Sequence, residues 1–424
     1  MKNCLKRFML LTLCSCVLIW VITGCNISSN SESKNKEATI AVACLIAHAS
    51  NQKRVDMDSL IYDTVNECTT NFGYLFGIRL DGQPKTVFAD NLDIDERFKT
   101  ASKERLALDV QKKASEELEK LNKIKAVQPE IDFLEGLREG STALRSLSKN
   151  ISEKAIICTG SGLQTTGILD FRNNILCASP NVIVEDLKTQ DALPDLQGIT
   201  VYWQGLGEVE APQTELSPKQ TKALTEIWKA IIEASGGKFE NISEVNYDKS
   251  AEDSMGQLPL VSVVDINAEP PITYSEQSSV INTESDGKIE PISLDEAHVG
   301  FIADTAEYSQ SDIAVVSIEP IAEYLKSVDT KILLVGTTAG DENTEKGVAL
   351  SFERANRVKQ TFEELGIGSE RIETLGLGCT DPWHVKNAGY SGFAAQQNRK
   401  VVVLDASTEQ AQEIMENVTV SISS

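Results

Sequence analysis

The chain has 424 residues, a length that suggests two or three domains. With 41% hydrophobic and 24% charged residues, its composition is that of a globular protein. Forty basic side chains against 63 acidic ones give a net charge of −23, which disfavours nucleic acid as a partner, because binding it requires a basic surface. The same charge disfavours adhesion to anionic lipid through the protein surface. Three histidines leave little material for a histidine-rich metal site.

Residues 1–25 combine a basic start with a short apolar run, which predicts a signal peptide. As a helix, the uncharged run 8–22 would rise about 22 Å, which is short for a bilayer core of about 30 Å. The run ends in Ile22-Thr23-Gly24-Cys25, which resembles the lipobox of bacterial lipoproteins. The resemblance implies that Cys25 carries a fatty acyl lipid such as palmitate, anchoring the chain to a membrane on the extracytoplasmic side of the bacterial envelope. The alternative is an uncleaved anchor with a chance cysteine.

Residues 26–37 are polar and predict a flexible tether, and residues 38–266 then alternate strand-like and helix-like patterns. Buried strands are predicted at 39–47, 155–158, 198–205 and 260–266, and amphipathic helices at 95–125, 130–147 and 217–234. Ser217 followed by Pro218 marks the start of the last helix. The alternation predicts an open α/β domain. Residues 267–296 are rich in Ser, Glu, Pro and Thr, which predicts a linker.

A compact mixed sheet with its helices on one face is predicted for residues 297–405, followed by a polar tail at 406–424. The strands are expected at 299–302, 331–336, 371–376 and 400–404, and the helices at 313–326 and 350–365. The order along the chain is therefore β-α-β-α-β-β.

The motifs of this segment resemble those of the OmpA-like peptidoglycan-binding family. They comprise a strand that ends in Gly336, the pattern Leu-Ser-x-x-Arg-Ala-x-x-Val at 350–358, the turn Gly-Ile-x-x-x-Arg-Ile at 366–372 and Asn398-Arg399 before the last strand. The resemblance implies the family's fold and a non-catalytic function, the non-covalent binding of the peptidoglycan stem peptide by a cell-envelope protein.

The resemblance also implies a set of ligand-binding residues. In the family, an Asp after the Gly-ending strand and an Arg in the next helix hold diaminopimelate, whose ammonium and carboxylate need one acidic and one bidentate basic partner. The Arg corresponds to Arg354. The family's Thr-Asp pair falls on Thr338-Ala339, so the acid is absent, and Asp341 lies two residues further on as an alternative carboxylate. The implied set also includes Asn398 and Arg399, for which a purely structural role is the alternative.

Two functions follow from this pattern. The first is a lipid-anchored envelope protein that contacts peptidoglycan, favoured by Arg354 and by Asn398-Arg399. The second is an envelope lipoprotein for partner binding or assembly whose OmpA-like domain has lost diaminopimelate binding. Ala339 favours the second, as does Gly347, which stands where the family usually has Asn.

Residues 38–266 resemble von Willebrand factor type A domains in their apolar first strand and in a later strand that ends in a Gly-rich turn. That family often binds Mg²⁺ through Asp-x-Ser-x-Ser after the first strand, but residues 48–52 read His-Ala-Ser-Asn-Gln, so no metal is expected. Residues 160–167 lack the lysine of a phosphate loop, and no Ser-His-Asp set is placed by motif. We therefore expect no cofactor and no catalytic residue. No catalytic role is expected for His384, a lone histidine in a loop, and core positions are expected for Trp203 and Trp228.

Overall fold

Two β-sheets organise the protein. The computed structural model describes residues 39–57, 60–93, 102–147, 151–243, 245–248, 258–273 and 281–423. The predicted signal peptide, Cys25 and the tether lie outside the described residues, as does part of the helix expected at 95–125. Six strands form a sheet in the N-terminal half (residues 39–268), and five form a second sheet in the C-terminal half (residues 272–423). Both halves belong to one compact unit.

The first sheet is open and mostly parallel. Its strands are β1 (Ile40–Ile46), β2 (Tyr74–Arg79), β3 (Lys85–Asn91), β4 (Glu153–Thr159), β5 (Ile199–Gln204) and β6 (Lys238–Ile242), in the spatial order β3-β2-β1-β4-β5-β6. Only β3 runs antiparallel to its neighbour. The helices of this half are α1 (Leu60–Thr70), α2 (Lys103–Asn122), α3 (Phe133–Arg145), α4 (Pro180–Thr189) and α5 (Pro218–Ala234).

Strand β1 shows why this half is layered. Successive side chains of a strand point to opposite faces, so Ala43 and Leu45 pack with α3 on one side while Cys44 and Ile46 pack with α1 on the other. Each fully buried aliphatic side chain contributes about 1.5–3 kcal/mol to folding. The prediction of a strand covered on both faces is confirmed, and the mixed α/β class with it.

Helix α5 begins where the sequence predicted. The Ser217 hydroxyl accepts a hydrogen bond from the Gln220 backbone N–H, and the Gln220 side chain accepts one from the Ser217 N–H in return. This capping box satisfies donors that the first turn of a helix leaves free, and Pro218 at the first position needs no acceptor. Beyond the last turn, Gly236 has φ +82°, a conformation that other residues rarely adopt.

The second sheet is mixed and has the spatial order β10-β9-β11-β8-β7. Its strands are β7 (Ile272–Thr273), β8 (Ile292–Leu294), β9 (Ile332–Gly336), β10 (Ile372–Gly376) and β11 (Val401–Asp405), and the helices of this half are α6 (Ser311–Ser327), α7 (Glu345–Glu364), α8 (Phe393–Gln397) and α9 (Glu409–Ser423). From β8 to β11 the chain follows the predicted order β-α-β-α-β-β, with the short helix α8 added before the last strand.

The predicted linker at 267–296 was wrong in part, because it contains β7 and β8. Ile289, Ile292 and Leu294 of this segment are buried in the core of the C-terminal half. Conversely, the strand expected at 299–302 is not one, since only Phe301 pairs, in a single antiparallel bridge with Tyr308. The sparse apolar residues of 267–296 concealed strands of only two and three residues.

The strand expected at 260–266 is also absent, although the chain there is extended. Its backbone groups bond to polar side chains instead of a neighbouring strand: Val261 donates to the Ser50 hydroxyl, and Val264 exchanges two bonds with the Gln213 side-chain amide. This pairing replaces the ladder of a sheet. We name residues 260–268 the strap.

The predicted polar tail at 406–424 contains helix α9. Ala411 and Ile414, three residues apart, place one face of α9 against Leu333 and Leu404 of the sheet. The sheet is therefore covered on both faces, whereas the sequence predicted helices on one face only. Two apolar residues in an otherwise polar run were too weak a signal for a helix.

Gly336 allows α7 to approach the sheet closely. A β-carbon at this position would lie 1.9 Å from the carbonyl oxygen of Ser351, which no side chain tolerates. The strand-ending glycine that carried the family resemblance is thus required by packing. It brings the end of β9 and the middle of α7 together at one side of the sheet.

Candidate functional site

Arg354 lies in the middle of α7 and is held by two contacts. Its Nε donates to the carbonyl oxygen of Thr305 at 3.0 Å, and its guanidinium carbon lies 5.0 Å from the centroid of the Phe301 ring. The residue is only 5% exposed. Stacking on an aromatic face and one hydrogen bond fix the plane of the guanidinium.

The two terminal nitrogens of Arg354 remain available. Among the described residues they have no hydrogen-bond acceptor and no ion-pair partner, and neither is sealed from solvent. Burial, followed by the nearby Arg399, lowers the pKa of Arg354, while Glu296 and Asp304 oppose that shift. A guanidinium with its Nη atoms free presents the fork that binds a carboxylate through two parallel hydrogen bonds.

Arg399 is close to Arg354 but is already paired. Its Nε and Nη2 both donate to one oxygen of Glu296, at 3.1 and 2.8 Å, and its Nη1 donates to the backbone of Tyr390. The pair is partly exposed, with 24% of the Arg399 side chain accessible. Arg399 therefore adds positive charge beside Arg354 without offering a free fork.

Asn398 is fully buried and pins the loop that precedes it. Its side-chain amide exchanges two 2.8 Å hydrogen bonds with the backbone of Val385, and its carbonyl oxygen accepts from the Thr337 hydroxyl at 2.6 Å. These bonds join the end of β9 to the loop before α8. This geometry favours a purely structural role for Asn398, since its side-chain amide does not reach the surface.

Thr338 and Asp341 lie in the loop that follows β9. The Thr338 backbone N–H donates to the carbonyl oxygen of Gly378, and its side chain is largely buried. Both carboxylate oxygens of Asp341 accept backbone N–H groups, from Asn387 at 2.8 Å and from Gly389 at 3.4 Å. Asp341 thus bridges two loops, and both of its carboxylate oxygens are engaged there.

His384 belongs to the same pair of loops and is buried. Its Nε2 lies 2.7 Å from the carbonyl oxygen of Gly340, and its Nδ1 lies 3.3 Å from the Asp381 carboxylate. The Asn398 amide nitrogen also lies 3.2 Å from Nε2, and these polar contacts fix the ring between the loops.

Three residues near Arg354 were missed by the sequence interpretation. Phe301 and Glu296 fell in a segment assigned to a strand and a linker, and Asp304 carried no motif. Asp304 is exposed, has φ +57°, and directly precedes the residue whose carbonyl oxygen anchors Arg354. The sequence carries no signal that Glu296 and Asp304 lie near Arg354, because no motif sets their spacing from it.

The carboxyl edge of the first sheet holds buried polar side chains that bond to one another. Ligands of open α/β sheets usually bind there, where the strand order reverses, in this chain between β1 and β4. Gln52 fills that point: its Oε1 accepts from the Ser161 backbone N–H at 2.7 Å and its Nε2 donates to Asn51. All three residues are at most 1% exposed. In the part of the chain that the structure describes, no group of His, Cys, Asp or Glu is arranged to hold a metal ion.

Trp203 and Trp228 lie below the same edge, in the core as expected. Their rings are 4.8 Å apart, and both are fully buried. The Trp203 indole donates to the carbonyl oxygen of Gly160 and the Trp228 indole to that of Gly162. The Gly-rich turn after β4 is therefore engaged in packing.

Comparison with known proteins identifies the C-terminal half. Residues 301–418 match the OmpA family. This match confirms the resemblance found in the motifs, so the chain carries an OmpA family domain in its C-terminal half. No curated protein matches the chain. None of the helices within the described ranges is long and apolar enough to cross a membrane.

Several solved structures resemble part of the chain. They include the peptidoglycan-associated lipoprotein of Burkholderia pseudomallei, at 27% identity over 25% of this chain and 86% of that one, with a TM-score of 0.22. The cell wall anchor of the type VI secretion system of Pseudomonas aeruginosa has 20% identity over 28% and 82%, with a TM-score of 0.24. An outer membrane protein of Borrelia burgdorferi has 22% identity over 30% and 98%, with a TM-score of 0.22. The family assignment depends on the match of residues 301–418.

Proposed function

We propose that this protein is a lipid-anchored component of a bacterial cell envelope that binds peptidoglycan non-covalently through its OmpA family domain. The observation that carries the proposal is Arg354, whose guanidinium is oriented by Phe301 and Thr305 while both Nη atoms stay unpaired among the described residues. The match of residues 301–418 to the OmpA family supports the same function.

In this proposal Arg354 binds the carboxylate of diaminopimelate in the stem peptide. The ammonium of the same residue needs an acidic partner, and Ala339 offers none. Asp304 serves this purpose better than Asp341, because its carboxylate is exposed and close to Arg354 whereas that of Asp341 accepts two backbone N–H groups. An unpaired ammonium would cost about 1–3 kcal/mol of binding free energy, so a nearby carboxylate matters.

The membrane attachment rests on the lipobox at Cys25 alone. A fatty acyl chain on its thiol would hold the protein on the extracytoplasmic side of a membrane, and a tether at 26–37 would separate the lipid from the fold. Growth with a labelled fatty acid tests this: the wild-type chain should carry label, and Cys25→Ala should carry none. Label retained by Cys25→Ala would contradict the anchor.

The N-terminal half completes the proposal as a partner-facing domain that resembles von Willebrand factor type A domains. An apolar β1 covered on both faces and a sheet order that reverses beside β1 support that resemblance. With the edge at Gln52 closed, we propose no catalytic residue, cofactor or metal in this half, and an envelope protein as the partner. The strong negative charge argues against nucleic acid.

The second candidate function is an envelope lipoprotein for partner binding or assembly whose OmpA family domain no longer binds diaminopimelate. Two observations favour it. Ala339 replaces the family's acid, and Asp341 is engaged by Asn387 and Gly389. Under this alternative the free fork of Arg354 would bind a carboxylate of a protein partner.

Binding of the full chain to purified sacculi distinguishes the two functions. The chain is kept in detergent, and bound protein is measured against sacculus concentration for wild type, Arg354→Ala and Asp304→Asn. Arg357→Ala is the matched control, because Arg357 lies one turn further along α7 and its guanidinium also stacks on an aromatic ring, that of Tyr308.

We expect Arg354→Ala to weaken binding at least about tenfold, since a charge-assisted bidentate contact contributes about 1.5–3 kcal/mol. Asp304→Asn should weaken it by a smaller factor, and Arg357→Ala should leave it unchanged. Equal binding by Arg354→Ala and wild type would refute the proposed site. Absence of binding by all variants, wild type included, would favour the second function.

A further inference from the structure

The two halves of the protein exchange buried side chains. Cys177, from the N-terminal half, is 4% exposed and packs against Leu333, Trp383 and Val402 of the second sheet's region. Val385, from the C-terminal half, is 2% exposed and belongs to the core of the N-terminal half. Burial raises the pKa of Cys177 to about 12, so its thiol stays neutral and acts as a small apolar side chain. The halves are therefore joined by reciprocal packing.

Asn174 contributes the polar part of this junction. Its side-chain amide donates to two carbonyl oxygens of the C-terminal half, those of Pro382 at 2.9 Å and His384 at 2.8 Å. Asn174 itself has φ +66°, a left-handed conformation that Asn adopts more readily than most residues. Asn173 adds two further bonds, from the Lys386 N–H to its carbonyl oxygen and from the Asn387 amide to its side chain.

Asn173 and Asn174 bond to the loop 381–389. The same loop also bonds to the loop 337–341, which follows β9. His384 contacts the carbonyl oxygen of Gly340, and the Gly340 N–H donates to Gly389. The Asn387 and Gly389 N–H groups both reach the Asp341 carboxylate. The loop 337–341 is where the family's diaminopimelate-binding acid would stand. The loop 381–389 thus connects the N-terminal half to the loop 337–341.

We propose that Asn174 is a positioning residue for peptidoglycan binding: it holds the loop 381–389, and that loop sets the position of the loop 337–341 beside the ligand. This inference rests on the proposed function. It adds that the N-terminal half takes part in wall recognition and that the OmpA family domain does not act as an independent module.

The test uses the full chain and two measurements. Sacculus affinity is compared for wild type, Asn174→Asp and Asn174→Gly, because both substitutions tolerate the left-handed backbone and remove the two N–H donors. Hydrogen exchange of peptides covering 336–344 and 385–392 is followed without ligand. Asp191→Gly is the control, since Asp191 is another left-handed residue of the N-terminal half, with φ +52°. Asn173→Ala is a milder variant that keeps Asn174 in place.

We expect the Asn174 variants to lose about five- to tenfold in sacculus affinity and to exchange faster in both peptides, because a loop with fewer backbone hydrogen bonds opens more often. Asn173→Ala should show the same changes at about twofold. Asp191→Gly should change neither quantity.

The outcomes separate the two proposals. If Arg354→Ala loses binding while the Asn174 variants bind sacculi and exchange as wild type does, the positioning role is overturned and the proposed function stands. If Arg354→Ala binds sacculi as wild type does, the proposed site fails, whatever the exchange data show, and if wild type itself does not bind, the proposed function fails. If Asn174→Asp exchanges faster throughout the chain, the substitution has destabilised the whole fold, and Asn173→Ala becomes the deciding variant. Wild-type exchange and sacculus affinity in Asn173→Ala would then overturn the positioning role.

Discussion

The two sheets differ in how the polar side chains beside them are hydrogen-bonded. At the carboxyl edge of the first sheet, buried amides satisfy one another: Gln52 bonds Ser161 and Asn51, and the strap bonds Ser50 and Gln213 across the edge. Beside the second sheet, Arg354 has a partner for one nitrogen and leaves two free among the described residues. Polar groups that bond to one another stabilise a fold, whereas a fixed group with unpaired donors can bind a ligand.

The largest effect on the free energy of unfolding should come from removing a buried indole in either half of the protein. Trp383→Ala and Trp203→Ala each delete a fully buried ring, which costs about 3–5 kcal/mol of unfolding free energy. Because Cys177 and Val385 interlock the halves, we expect either variant to lower the midpoint of a single urea transition. Tyr390→Ala, at a ring 69% exposed, is the control and should change little. Two separate transitions in wild type would contradict the interlocked halves.

A smaller effect is expected where the first sheet's edge is closed. Gln52→Ala leaves the buried N–H of Ser161 without an acceptor, which should lower the unfolding free energy by about 1–3 kcal/mol. Sacculus binding should not change, because this edge lies outside the proposed site. Gln83→Ala, at an exposed glutamine, is the matched control for urea denaturation. A loss of wall binding in Gln52→Ala at unchanged stability would show that the first sheet's edge takes part in recognition.

The smallest effect concerns Asp132, the N-cap of α3. Burial raises the pKa of Asp132 from 3.8 to about 6. The folded state then binds the proton more tightly than the unfolded state, so the stability from protonated Asp132 is complete below about pH 3.8 and is lost as the pH rises through 6.

Asn caps a helix as well as Asp does and cannot ionise. Asp132→Asn should therefore raise the unfolding free energy by about 1–2 kcal/mol at pH 7.5 and leave it unchanged near pH 4. Asp195→Asn, which removes a partner of Arg145 in a surface ion pair, should change the free energy by less than about 0.5 kcal/mol at either pH. Equal stability of Asp132→Asn and wild type at pH 7.5 would refute the ionised, buried carboxylate.

The sequence predicted the parts of the fold that are governed by local patterns. The continuous apolar run of β1 and the cap at Ser217 are each signalled within a few residues, and each was found as expected. Helix α9 and the strands β7 and β8 were missed because long-range packing stabilises them: Ile292 and Ile414 each pack in a cluster with residues distant in sequence.

The site divides in the same way. Arg354 was recognised from the motif of α7, but its orientation depends on Phe301 and Thr305, some fifty residues earlier, and no spacing rule connects them. The internal bonds of Asn398 and Asp341 likewise involve the loop 381–389, whose course follows from its contact with the N-terminal half. The sequence showed which side chains have the required chemistry, but it did not show which residues each of them contacts.

The most direct test of the central claim is a calorimetric titration of the full chain with a soluble stem peptide that contains diaminopimelate. The same titration is repeated with a peptide in which the diaminopimelate carboxylate is amidated, and with Arg354→Ala. Recognition by the Arg354 fork predicts binding of the free acid, at least about tenfold weaker binding of the amide, and the same weak affinity for both peptides in Arg354→Ala. Equal affinities of the wild-type chain for acid and amide would contradict it.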